Sequence, residues 1–360
     1  VVLVLVVVLG LPALPLRDSP VPCHGADAGC LRRLYARPAA QWPRPWVDAD
    51  VAWQELATVP WRPPPSVGTS EAALVALGGR LFAEPLLSRQ RDVSCQSCHL
   101  PALAGADGRA VSVGTGGRLG RRNAPSVQWS ALAPVLMWDG RFDSLEAQAL
   151  HPIEDPREMG FTVAGALRRL QADARYRAAF AQAFGSAGID AARLRRALAA
   201  YQRSLLPAPS RYDRFMAGQA DALGDAELRG LHLFRTKARC MNCHGGMALS
   251  DGGFHDLGLA FFGREQQDLG RYEATGVGVD AGRFRTPGLR GVSRTGPWMH
   301  NGVFDDLVDV LHAYNAGMFP VAARGDEPDD MPVPRGSPLL QPLQLQAEEI
   351  EDLQAFLEVL

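Results

Sequence analysis

Along most of this chain apolar residues recur at three- and four-residue spacing, the pattern of helices with one buried face. Leu74, Leu77 and Leu81 share such a face, with Ser70 as the expected cap and Glu71 in the first turn. Leu228, Leu231 and Phe234 form another, behind a cap assigned to Asp225. Between them, Leu167 and Leu170 continue into Tyr176, Phe180 and Phe184 as one amphipathic stretch. Asp190 followed by Leu194, Leu198 and Tyr201 marks a further helix, and Ile350, Leu353, Phe356 and Leu360 a last one. Alternation of period two is scarce, so the pattern predicts a mainly α fold with long loops.

Two segments depart from this pattern. Residues 1–16 are apolar and uncharged but are broken by Gly10, Pro12 and Pro15. They make a poor spanning helix and resemble the hydrophobic part of a secretory signal, with an N-terminal anchor left open. Residues 23–66 are rich in Pro and Trp (Trp42, Trp46, Trp53, Trp61). They read as an irregular extension lying on the surface of the first domain, closed by Pro60 and Pro63 to Pro65.

The first and second helices each lead, through a short loop, to the same five-residue pattern: Cys95-Gln96-Ser97-Cys98-His99 and Cys240-Met241-Asn242-Cys243-His244. C-x-x-C-H is the attachment pattern of c-type heme. Two thiols at i and i+3 can each bond one heme vinyl, and the adjacent histidine reaches the iron. Zinc half-sites or redox dithiols are the competing readings. The repeat makes each half a candidate heme domain. Cys23 and Cys30 are left over; an oxidising compartment would let them pair, and two free thiols are the alternative.

A length of 360 residues suits two domains and extra segments. The net charge of −2 gives no polybasic surface for nucleic acid. With 27 Pro and 37 Gly, many ordered turns are expected, as chains that wrap a heme need.

From about Leu77 onward the chain resembles the bacterial diheme cytochrome c peroxidase family, including its MauG-like subgroup. The matching stretches are LGGRLFAEPLLS, SCQSCH, RRNAPS, MWDGRFDSLEAQALHPIEDPREMG, YQRSLL, CMNCHGG, FRTPGLRGVSRTGPWMHNG and LQAFLEVL. The resemblance implies two class I cytochrome c-like heme domains with an inter-domain interface. The expected division is a signal-like segment at 1–22, the extension at 23–66, a peroxidatic domain at 67–218 and a second heme domain at 219–360.

The resemblance also assigns roles. His99 is proximal at the first heme. Sixteen residues on, where classical members often carry a histidine, stands Thr115; the iron is expected to be open to peroxide. Glu158 matches the distal acid, which can take a proton from peroxide and return it to the leaving oxygen. An exposed helix-start glutamate is the competing reading. Gln148 borders the same pocket. Trp138 matches a tryptophan between the hemes, against a plain core role. Asn123, with the main-chain carbonyls of Thr295 and Pro297, matches a calcium site of hard oxygen donors.

At the second heme His244 is proximal. Fourteen residues past His300 stands Tyr314, where cytochrome c-accepting peroxidases have methionine and MauG enzymes have tyrosine. An anionic oxygen ligand lowers the potential and favours storing an oxidising equivalent. Met318 and Met299 lie near enough in sequence to keep methionine ligation open. The expected protein is a periplasmic diheme peroxidase with two covalent c-type hemes and Ca²⁺. It would act on hydrogen peroxide with a small c-type cytochrome, a cupredoxin or a protein substrate as partner. Homodimerisation is left open. The alternatives are a peroxide-detoxifying cytochrome c peroxidase with a His/Met second heme, and a non-enzymatic diheme electron carrier.

Overall fold

The computed structural model describes residues 23, 27–319 and 332–360. The signal or anchor expected at 1–22 lies outside the described residues. None of the described helices is long and apolar enough to cross a membrane.

The chain is mainly helical. An early helix, α1 (Ala28–Tyr35), precedes α2 (Ser70–Phe82) and the one-turn α3 (Cys95–Cys98). Two more single turns, α4 (Leu145–Gln148) and α5 (His151–Glu154), lead into α6 (Val163–Ala172), α7 (Ala174–Phe184) and α8 (Ala191–Arg203). Then come α9 (Arg211–Met216), α10 (Asp225–Arg235), α11 (Tyr272–Thr275), α12 (Leu307–Asn315) and α13 (Ala347–Glu358). The described sheet has two strands, β1 (Phe254–Asp256) and β2 (Arg283–Arg285), antiparallel with His255 opposite Phe284.

Three local expectations are corrected. Thr69, not Ser70, caps α2: it is extended, and its Oγ1 accepts from Ala72 N at 3.1 Å, while Ser70 is already helical. Gly224, not Asp225, caps α10; its N–H donates to Glu227 Oε2 at 2.6 Å. Asp225 sits in the first turn and pairs with Arg32 at 2.7 Å. The stretch from Leu167 to Phe184 is two helices, because Asp173 is extended and its carboxylate caps α7 through Arg175 N.

The buried side chains form two large clusters and a small third. One gathers Leu77 and Leu81 of α2 with Leu194 and Leu198 of α8. The other gathers Leu228 and Phe234 of α10 with Leu353 and Phe356 of α13. Both are built on one device, a glycine where the two helices cross. A Cβ on Gly78 would lie 2.0 Å from Ala197 O, and one on Gly230 2.0 Å from Asp352 O. Neither helix pair could approach so closely with a larger residue at that position.

The extension does not lie on the first core. Leu31, Leu34, Tyr35, Trp42 and Leu56 are buried in the second cluster, with α10 and α13. Polar contacts fix it there. Arg32 Nη1 donates to Leu223 O at 2.9 Å and Tyr35 Oη meets His232 Nδ1 at 2.8 Å. The buried Arg235 pairs with Glu55 and lies 4.9 Å from the Trp42 ring. The segment is also less irregular than expected, since α1 is a full helix whose cap, Asp27, accepts from Gly29 N at 2.8 Å. Cys23 and Cys30 are disulfide-bonded.

Candidate active site

One cavity of about 530 Å³ lies between the two large clusters, and both Cys-x-x-Cys-His segments open onto it. Each histidine is oriented in the same way. His99 Nδ1 donates to Gly105 O at 2.9 Å and His244 Nδ1 donates to Leu249 O at 2.9 Å. Burial lowers the pKa of both rings, which favours their neutral forms. A carbonyl fixing one ring nitrogen while the other points to a metal is the usual arrangement of a histidine ligand. Burial, followed by the charge of Glu158, pushes the Cys95 thiol up to about 12, and burial does the same at Cys240.

The cavity wall carries Gln148 and Glu158, the latter close enough to Cys95 and Cys98 to act on both thiols. Glu158 is held by the turn after α5: its N–H donates to Asp155 O at 3.1 Å, and its carbonyl accepts from Thr115 N at 2.7 Å. Gly114 permits this, since a Cβ there would lie 2.0 Å from Arg157 O. Withdrawal from bulk water, then the charge of Asp155, pushes the Glu158 carboxyl up to about 7. Gln148 Nε2 points to Met137 Sδ at 3.9 Å. Thr115 is buried and turned away from the cavity; its Oγ1 donates to Asp92 Oδ1 at 2.7 Å.

Trp138 stands where the two cores meet. It is buried, lines the cavity and donates from Nε1 to Asn123 O at 2.9 Å. Its ring meets His300 edge-on at 6.4 Å, and His300 stacks on Phe284 at 3.5 Å. Desolvation lowers the His300 pKa to about 3, so this ring is neutral. Arg122 clamps the same junction with Asp139 at 2.5 Å and Asp268 at 2.7 Å.

Asn123, Thr295 and Pro297 all line the cavity. Asn123 N donates to His300 O, and its Nδ2 to Arg109 O at 2.8 Å. Among the described residues, its Oδ1 and the carbonyls of Thr295 and Pro297 accept no hydrogen bond. Hard oxygens without a hydrogen-bond donor are the donor type that calcium takes.

Tyr314, on the last turn of α12, lines the cavity beside Cys240, Cys243 and His244. Burial, then the two cysteines, pushes its phenol well above the usual range. Met318 is buried but does not line the cavity, whereas Met299 does. Apart from Cys23 and Cys30, every residue assigned to a site lines this one cavity.

Two neighbours of Glu158 were not singled out from the sequence: His151 and Asp155 bring their ligand atoms within 4.8 Å of its carboxylate and of one another. The helix α5 ends at Glu154 and Asp155 is extended, so no helical spacing marks the group. His255 meets Asp251 at 2.9 Å beside Cys243. Arg290 is fully buried against Asp213 at 2.9 Å.

A mainly helical chain whose two His-bearing Cys-x-x-Cys segments share a cavity has the architecture of a two-heme protein. Residues 72–221 match the family described as di-haem cytochrome c peroxidase. The chain is 38% identical over 322 residues to methylamine utilization protein MauG of Methylorubrum extorquens, covering 87% of each chain. It is 34% identical to cytochrome-c peroxidase IdrP1 of a Pseudomonas species, covering 92% of this chain and 91% of that one. A crystal structure of a MauG-like protein associated with microbial copper homeostasis superposes with a TM-score of 0.72 at 34% identity, over 86% of this chain and 95% of that one. The chain belongs to the diheme cytochrome c peroxidase family and is MauG-like. It is a diheme oxidoreductase.

Proposed function

We propose that the two hemes are covalently attached and divide the work, peroxide being reduced beside His99 and oxidising equivalents being stored or relayed beside His244. The observation that carries this is the difference in what lies beside each Cys-x-x-Cys-His segment. Beyond the effect of burial, the Glu158 carboxyl is close enough to Cys95 and Cys98 to raise both thiols, with Thr115 turned away, whereas Tyr314 feels Cys240 and Cys243.

Bound heme supplies the redox chemistry; the chain's own residues supply protons, orientation and the electron path. A carboxyl with a pKa of about 7 exchanges its proton readily near neutral pH. Glu158 takes a proton from one peroxide oxygen and returns it to the leaving oxygen. Gln148, always neutral, orients the peroxide by hydrogen bonding. Trp138, buried between the two halves, carries electrons from one side to the other. Asn123, Thr295 and Pro297 hold calcium and thereby fix the spacing of the halves. Tyr314 would hold the second iron through its phenol oxygen; burial opposes the ionised form, so a bound cation would have to offset that cost. Residues 67–218 and 219–360 are read as the two heme domains, in a protein working in the periplasm. Its electron source is a small c-type cytochrome, a cupredoxin or a protein substrate.

Ferric electron paramagnetic resonance tests the division. One high-spin signal, from the first heme, and one low-spin signal are expected. Two low-spin signals would reinstate the pure electron carrier.

A further inference from the structure

Peroxide reduction consumes two protons and two electrons for each two waters formed. The shuttle at Glu158 moves one of peroxide's own protons and leaves the carboxyl as it began. The two protons from bulk are therefore needed by the oxygen left behind, which departs as the second water. A single carboxyl withdrawn from bulk water can deliver only one of them before it must be recharged. On its outer side lie Asp155 and His151, with polar atoms of all three within 4.8 Å of one another. His151 Nε2 is 3.7 Å from Asp155 Oδ2. Asp155 and Glu158 line the cavity while His151 does not, and the His151 side chain is 30% exposed. The Asp155 side chain is 26% exposed, so a solvent-facing pair, His151 and Asp155, adjoins Glu158 on the cavity wall.

We propose that His151 and Asp155 form the proton inlet that recharges Glu158 during peroxide turnover. The inference rests on the reading of Glu158 as the peroxide acid and base.

The hydrogen bonding around His151 supports a proton carrier over a metal site. Arg141 Nη2 lies 3.0 Å from His151 Nε2 and donates to it, while Arg141 Nη1 stays on Asp139 Oδ2 at 2.7 Å. A fixed guanidinium at this distance repels a divalent cation. It also marks the resting imidazole as neutral. The groups facing the ring are Arg141, Asp155, Asp139 and Glu154, with the Phe142 ring at 5.2 Å. Burial, then Arg141, holds the imidazole below its usual pKa, against the three acids. A captured proton is therefore passed on rather than kept. When Nε2 gains a proton from bulk water it stops accepting from Arg141, which keeps its bond to Asp139, and donates towards Asp155. Asp155 hands the proton to Glu158, and His151 returns to its neutral form. No electron moves in the relay.

The test is steady-state peroxide reduction by the holoenzyme, with ferrocyanide as electron source, in His151→Gln and Asp155→Asn beside Glu158→Gln. For His151→Gln the expected result is a kcat lowered at least about tenfold, an unchanged KM for peroxide and a larger solvent isotope effect. Its kcat should fall as pH rises, and added imidazole should restore it in part. Unaltered heme spectra in the variants exclude misfolding. Unchanged kcat, pH profile and isotope effect in both relay variants, with Glu158→Gln inactive, would overturn the inlet and leave Glu158 in place. An unaffected Glu158→Gln would instead overturn the reading on which the inlet rests.

Discussion

Replacing Glu158 by Gln removes a carboxyl that the fold holds protonated beyond its usual range. The folded value, pushed up to about 7 from 4.5, means the folded chain binds this proton more tightly than the unfolded chain does. Below about pH 4.5 both states are protonated and the site is neutral in its effect. As pH rises towards 7 the unfolded chain ionises freely while the folded chain must bury a charge, so stability falls. At about 1.4 kcal/mol per pH unit the loss is at most about 3.5 kcal/mol. Screening by water entering the cavity brings it nearer 2 kcal/mol. An amide in the same place carries no such penalty. Paired urea unfolding of the two proteins from pH 4 to 8 should show the variant gaining about 2–3 kcal/mol over the unaltered protein as pH rises. Stability curves that stay parallel over this range would refute the claim that Glu158 is shielded and neutralised by its site.

Two further outcomes test the frame. Asp213→Ala strands the fully buried Arg290, whose other partners are the carbonyls of Met247 and Ala57. It should cost about 3–5 kcal/mol in denaturant unfolding. Gly230→Ala drives a methyl against Asp352 O at the α10–α13 crossing and should cost about 1–3 kcal/mol, read as a lowered Tm.

The heme positions were legible because Cys95, Cys98 and His99, like Cys240, Cys243 and His244, are contiguous in sequence. Helix faces were legible for the same reason: their periodicity is local. Glu158, Trp138 and Tyr314 are single residues far from either motif, and only resemblance singled them out. The docking of residues 23–66 was missed because Trp42 and Leu56 follow no period, and what buries them is the distant α10 and α13. Cap positions slipped by one where neighbouring polar residues, Thr69 and Ser70, were both competent and backbone geometry alone decided. The Arg122 clamp was invisible because Asp139 and Asp268 reach it from opposite sides of the junction.

The central claim is that one heme meets peroxide while the other, closed by Tyr314, stores oxidising equivalents. Redox titration of the second heme, in the unaltered protein and in Tyr314→Met, tests it most directly. The account predicts a negative potential that rises clearly in the variant. A positive potential in the unaltered protein, unmoved by the substitution, would contradict it.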